Sequence, residues 1–142
     1  MLTITYPFMP PSELRGNSRS HWRAKNAKKK EFQELTFWYM HQQNEPLAEP
    51  MDKVNIKYTA YYCGRPIDID NLITGMKYAQ DCLTIQGIIP DDSPDHIKNV
   101  SIEYHRVPHK KDVSLVMQIT EHQCWENFPQ GAGIDITKSK ER

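Results

Sequence analysis

No stretch of this chain approaches the roughly 18–20 consecutive apolar residues that a membrane span needs. The opening Met1-Leu-Thr-Ile-Thr-Tyr-Pro7 lacks the basic-then-apolar plan of a secretory signal. Cysteine is scarce: Cys63, Cys82 and Cys124 are an odd, widely spaced set without a CxxC pair. A disulfide framework and a cysteine-based zinc centre are thereby disfavoured. The histidines supply no zinc-hydrolase motif either. These absences predict a cytoplasmic protein without a membrane partner or an organic cofactor. Apolar residues are also few, at 38% with a mean hydropathy of −0.72, so 142 residues allow one domain around one modest core.

Net charge is missing as well, since 18 basic residues balance 18 acidic ones. The charges are nevertheless segregated. Arg15, Arg19, Arg23, Lys25, Lys28, Lys29 and Lys30 follow one another with no acid among them, while acids gather between Asp68 and Asp95. A basic surface for phosphates beside an acidic pocket for metal is what a nuclease requires. A solvated basic face is the bland alternative.

Periodicity predicts the order β-α-β-α-β-β. Leu2, Ile4 and Tyr6 alternate as a first strand, and a helix runs from about Trp22 to His41. Its basic first turns oppose the helix dipole, which favours a binding role for them over a stabilising one. Trp22 reads as a packing residue more readily than as a base-stacking one. Val54, Ile56, Tyr58, Ala60 and Tyr62 form a second strand, and a helix from about Asp70 to Leu83 or Thr84 is closed near Gly87. Val100, Ile102 and Tyr104 make a third strand, and Val113, Leu115, Met117 and Ile119 a fourth, with Pro108–Lys111 as a hairpin loop between them. The expected fold is a single α/β (α+β) domain over residues 1–120, a small mixed sheet packed with two main helices. Residues 121–142 form an extension, docked or partly disordered.

Asp70, Thr74, Lys77 and Asp81 share one helical stripe, opposite Leu72, Met76, Ala79 and Leu83. Asp68 just before that helix, Asp70 at its start and Asp92 in the next loop are expected to converge on one hard cation. Magnesium suits a few carboxylates completed by water and substrate phosphate, with manganese as a substitute. Lys77 is the candidate for stabilising charge on a scissile phosphate, held by Asp81 as an i,i+4 partner. By spacing alone, an N-capped helix with an exposed ion pair remains an equal reading. Calcium EF-hand geometry is disfavoured by Leu72 and Ile73, and a haloacid-dehalogenase motif by Gly64-Arg65-Pro66 and Leu72.

The run D-x-D-N-L…K-x-x-x-D-x-L…G…D-D, carried by Asp68, Asp70, Asn71, Leu72, Lys77, Asp81, Leu83, Gly87, Asp91 and Asp92, resembles the signature of the RusA-type Holliday-junction resolvases. Pro10-Pro11-Ser12 resembles that family's proline-rich turn, and Asn17–Trp22 a segment of its phage and prophage branch. The likeness spans roughly residues 2–120. It implies a homodimer that binds branched DNA, four-way junctions above all, and makes paired nicks with magnesium in recombination and repair. It places metal-binding acids at Asp68, Asp70 and Asp92, with Asn71, Asp81 and Asp91 in support. The family lysine falls on Lys77 when counted back from Asp81, and on Thr74 when counted forward from Asn71. Arg15, Arg19, Arg23, Lys25, Lys28, Lys29 and Lys30 become a phosphate-contacting arm. Phe32, Leu35, Phe37, Trp38 and Tyr39 are apolar in excess of one helix face, so part of them is expected at the dimer interface. A DNA-binding or phage regulatory protein without catalysis is the alternative reading.

Overall fold

A computed structural model describes residues 1–16, 19 and 21–122. The sequence-predicted extension lies, but for its first two residues, outside these. Four strands and two helices follow in the order β1 (Leu2–Tyr6), α1 (Trp22–Gln43), β2 (Val54–Tyr62), α2 (Ile69–Ile85), β3 (Ile97–Arg106) and β4 (Ser114–Glu121). They form one mixed sheet, ordered β1-β4-β2-β3, in which β4 is antiparallel to both neighbours and β2 is parallel to β3.

The alternating residues read in the sequence supply the core. Leu2, Ile4 and Tyr6, Val54, Ile56 and Tyr58, and Leu115, Met117 and Ile119 are all buried on the helix side of the sheet. α2 covers them with Leu72, Met76, Ala79 and Leu83, and α1 with Phe32, Thr36 and Met40. Burying each of the large side chains contributes about 1.5–3 kcal/mol. A polar contact sealed between layers joins the Tyr6 hydroxyl to Thr36 Oγ1 at 2.7 Å, and burial drives the Tyr6 phenol far above its ordinary pKa. The helices run in the same direction: Lys29 lies over the Tyr78 ring, Gln33 donates to the Tyr78 carbonyl, and Phe37 stands by Ile85.

Gly87 ends α2 with φ +72°. Its N–H donates to Thr84 O at 3.0 Å and that of Ile88 to Leu83 O at 2.8 Å, a Schellman closure that turns Ile88 and Ile89 into the core.

The structure corrects one connection. The expected hairpin between the last two strands is absent, and Lys110–Asp112 forms a 3-10 turn instead. β2, α2 and β3 make a parallel crossover unit that sets β3 outside β2. On the other side of β2, β4 fills the gap beside β1, where Leu115, Met117 and Ile119 are fully buried. This leaves β1 and β3 as the borders of the sheet. The border of β1 is sealed by side chains: Thr3 N–H and C=O bond Asn44 Oδ1 and Nδ2 at 3.0 and 2.7 Å. Thr5 does the same with Gln43 Oε1 and Nε2 at 2.6 and 2.9 Å.

Candidate active site

α2 begins at the C-terminal ends of β2 and β3 and ends near their N-terminal ends, so its length decides what meets what. Asp68 is its N-cap residue but makes no side-chain cap bond, and Asp70 lies in the first turn; both are exposed. The positive end of the helix dipole stabilises both carboxylates. Asp68 lines a shallow hollow of about 370 Å³ with Tyr62, Pro66, Ile67, Ile69 and Tyr104. Tyr104 donates its hydroxyl to the Ile67 carbonyl at 2.8 Å, pinning the turn that presents Asp68. Partial burial raises the Tyr104 phenol above its ordinary pKa, and the charges of Asp68 and Asp70 add to the effect. Arg106 stands at the same end, over the Tyr62 ring and bonded to Gly64 O at 3.1 Å.

Asp92 is elsewhere. Seventeen residues make α2 about 25 Å long. The segment after it returns to the start of β2, where Met51 N–H bonds Ile88 O and Val54 N–H bonds His96 O, each at 2.7 Å. Asp92 therefore sits at the far end of the helix from Asp68 and Asp70. Among the described residues, no three His, Cys, Asp or Glu side chains stand together as a metal site. The expected convergence of all three carboxylates does not occur within one chain. A magnesium triad does not fit a single copy; two carboxylates do share one end.

Asp91 is next to Asp92, and the hydrogen bond with Asp92 is the main cause holding its carboxyl below the usual range. Lys77 is exposed on the stripe of Asp70 and Thr74, about 10 Å along the axis from Asp70. Its expected ion pair with half-buried Asp81 is not among the salt bridges of the described residues. An exposed i,i+4 pair contributes only about 0.3–0.5 kcal/mol, too little to immobilise a lysine.

Asn71 and Thr74 face a loop from the other side of the chain. A Cβ on Gly16 would lie 3.2 Å from both Asn71 Oδ1 and Thr74 Oγ1, so the loop backbone rests on the first turns of α2. One turn further, Pro10 occupies the space a side chain on Gly75 would need, 2.6 Å from its ideal Cβ. Arg15 runs alongside, its Nε donating to Pro10 O at 3.1 Å, and burial lowers its guanidinium pKa despite Glu13. Because the helices run parallel, the basic start of α1 lies at this same end. Arg19 and Arg23 are exposed and Lys25 half-buried; Lys28 pairs with Glu31 at 3.2 Å and Lys29 covers Tyr78. Trp22 does not pack: it is 62% exposed, with Arg23 against its ring. Of the apolar group on α1, Phe32 is buried, Leu35 and Tyr39 are half-buried, and Phe37 and Trp38 are exposed.

Sequence reasoning put Tyr104 in a strand but gave neither it nor Arg106 a part in the site. Both follow the alternation that identified Val100 and Ile102, and a tyrosine on a core-facing position usually seeks a partner for its hydroxyl. The chain matches no protein-family model, and no curated protein is similar to it.

Proposed function

We propose that this chain is a magnesium-dependent, structure-selective DNA endonuclease of the RusA type, acting as a homodimer that resolves four-way junctions by paired nicks. One observation carries the reading. The exposed carboxylates Asp68 and Asp70 share an end of the molecule with Arg15 and the basic start of α1, and Lys77 follows about 10 Å further along α2. Acid and base are segregated in sequence but adjacent in space. Arg15, Arg19, Arg23 and Lys25 hold backbone phosphates there, Lys29 and Lys30 continue the basic run along α1, and exposed Trp22 offers a ring on which an unpaired base at a branch point stacks. Lys77 reaches towards the phosphate that lies over Asp70. Magnesium, where bound, supplies charge neutralisation on that phosphate and an activated water.

A second reading, a DNA-binding or phage regulatory protein without catalysis, draws support from the remoteness of Asp92. Incubating the protein with a synthetic four-way junction and with linear duplex, each with and without magnesium or manganese, separates the two. Paired nicks in the junction that require metal support the nuclease. Tight junction binding with no cut at any metal concentration supports the alternative.

A further inference from the structure

We propose, resting on the DNA-binding function inferred above, that the hollow beside Asp68 is a binding site for an unpaired nucleobase, held by stacking rather than by reading of its edge.

The walls of the hollow are aromatic and apolar. In the parallel register of β2 and β3, Ala60 pairs with Tyr104 and Tyr62 with Arg106. Tyr62, Tyr104 and Arg106 therefore project on the helix side of the sheet, where the two strands end and α2 begins. Crevices outside the carboxyl ends of parallel strands are where α/β sheets usually take their ligands. Pro66, Ile67 and Ile69 complete the lining of a volume of about 370 Å³, within the roughly 300–1,000 Å³ range of small-ligand sites. Ile69 opens α2 but is 58% exposed and forms no part of the core.

The rings are fixed in advance. Tyr104 stands edge-on to Tyr62, with centroids 6.1 Å apart and planes at 76°. Its hydroxyl is tied to the Ile67 carbonyl at 2.8 Å. The Arg106 guanidinium lies over the Tyr62 ring, 5.0 Å from its centroid, and donates to Gly64 O at 3.1 Å. A base entering here meets surfaces already ordered, so little freedom is lost in arranging them.

The same bonds decide the mode of binding. The Ile67 and Gly64 carbonyls are engaged by Tyr104 and Arg106, and the Tyr104 hydroxyl by Ile67. Of the lining side chains, the Asp68 carboxylate and the Tyr62 hydroxyl are the polar groups left to meet a base edge. That is too few to read the donor and acceptor pattern that tells one base from another. Stacking on an aromatic ring or a guanidinium plane uses the π-face, which every base has. Arg65 and Arg106, both exposed, supply charge for the phosphates on either side. A base inside a duplex must first be unpaired and unstacked to enter, whereas one at a branch point need not be. The hollow thereby favours branched over linear DNA without a sequence code.

Photocrosslinking and abasic substitution test the site, with metal withheld so that no strand is cut. A synthetic four-way junction carries 5-iodouracil in place of single thymines near its branch point. Wild type is expected to crosslink at Tyr62 or Tyr104, located by mass spectrometry. An abasic residue at one branch-point position should weaken junction binding by about 10-fold, and exchange of that base for another natural base by less than about 3-fold. Tyr62→Leu should bind the intact junction as weakly as wild type binds the abasic one, with no further loss on the abasic junction. Tyr62→Phe should behave as wild type. Ile69→Asn, at an exposed position that leaves the core intact, should lose part of the same discrimination, and duplex affinity should hold in all three variants. Crosslinks that are absent or confined to Trp22, together with binding indifferent to every abasic position, overturn the nucleobase site and leave the proposed endonuclease standing. A loss that depends on which natural base is present overturns stacking as the mode. Failure to bind junction, single strand or duplex overturns the DNA-binding function itself. Crosslinking at the hollow in a protein that cuts nothing once magnesium or manganese is restored supports the site and overturns the nuclease.

Discussion

β1 and β3 border the same sheet, and the chain treats them in opposite ways. Along β1, two amide side chains at the end of α1 stand where a fifth strand would hydrogen-bond, and no main-chain group of Thr3 or Thr5 is left over. Along β3, nothing in the described residues plays that part. The difference teaches that edge protection is specified locally, by side chains that no periodicity argument notices. Gln43 and Asn44 read in sequence as the polar fringe of a helix. In the fold they close one side of the sheet.

The largest effect expected separates chemistry from folding. Asp70→Asn keeps the size of the side chain and removes its charge, so junction cleavage should fall to background. The unfolding midpoint should be unchanged, since Asp70 is exposed. A D70N enzyme that cuts at the wild-type rate removes Asp70 from the site. Next comes Lys77→Ala, expected to slow nicking by about 10²-fold with metal affinity retained. Normal cutting by this variant would hand the role to another cation, with Arg15 and Arg106 the candidates towards the Asp68/Asp70 end.

The edges themselves can be exchanged. Gln43→Ala with Asn44→Ala removes four hydrogen bonds to β1 and should cost about 2–4 kcal/mol in denaturant unfolding. It should also open the β1 edge, so that association increases at high concentration. A double variant of unchanged stability and size would mean that water replaces the amides without loss. The smallest effect expected belongs to Lys28, Lys29 and Lys30. Replaced together by Gln, they should lower the salt dependence of DNA binding by about 0.9 for each phosphate no longer neutralised. Junction and duplex should weaken alike, with Lys28 contributing least because Glu31 already partners it. A salt slope equal to wild type would return these lysines to solvent.

Both helices and all four strands were legible in sequence, because Val54–Tyr62 and Leu115–Ile119 alternate cleanly and Leu72, Met76, Ala79 and Leu83 fall on one face. Their order in the sheet was not. A short turn around Pro108 suggests a hairpin, and nothing local reveals that β4 is better buried beside β1. The misplacement of Asp92 has the same root: spacing tells which residues share a helix face, but not at which end of the sheet a loop returns. Asp68 and Asp70, two residues apart, needed no topology to be put together. The basic arm was legible as charge, whereas its position at the acidic end depends on the parallel course of α1 and α2.

Gly75 is the only glycine in α2, at a mid-helix position where glycine costs about 1 kcal/mol relative to alanine. The Pro10 ring fits its notch and would fit none of its neighbours in the same row, since Leu72 and Ala79 carry side chains there. The pair works as an index mark. It fixes how far α2 has slid along the sheet, and a slip of one turn would move Asp68 and Asp70 by about 5.4 Å. The reach of the Asp68/Asp70 end is thereby set by a contact more than a turn away, between two residues that carry no charge.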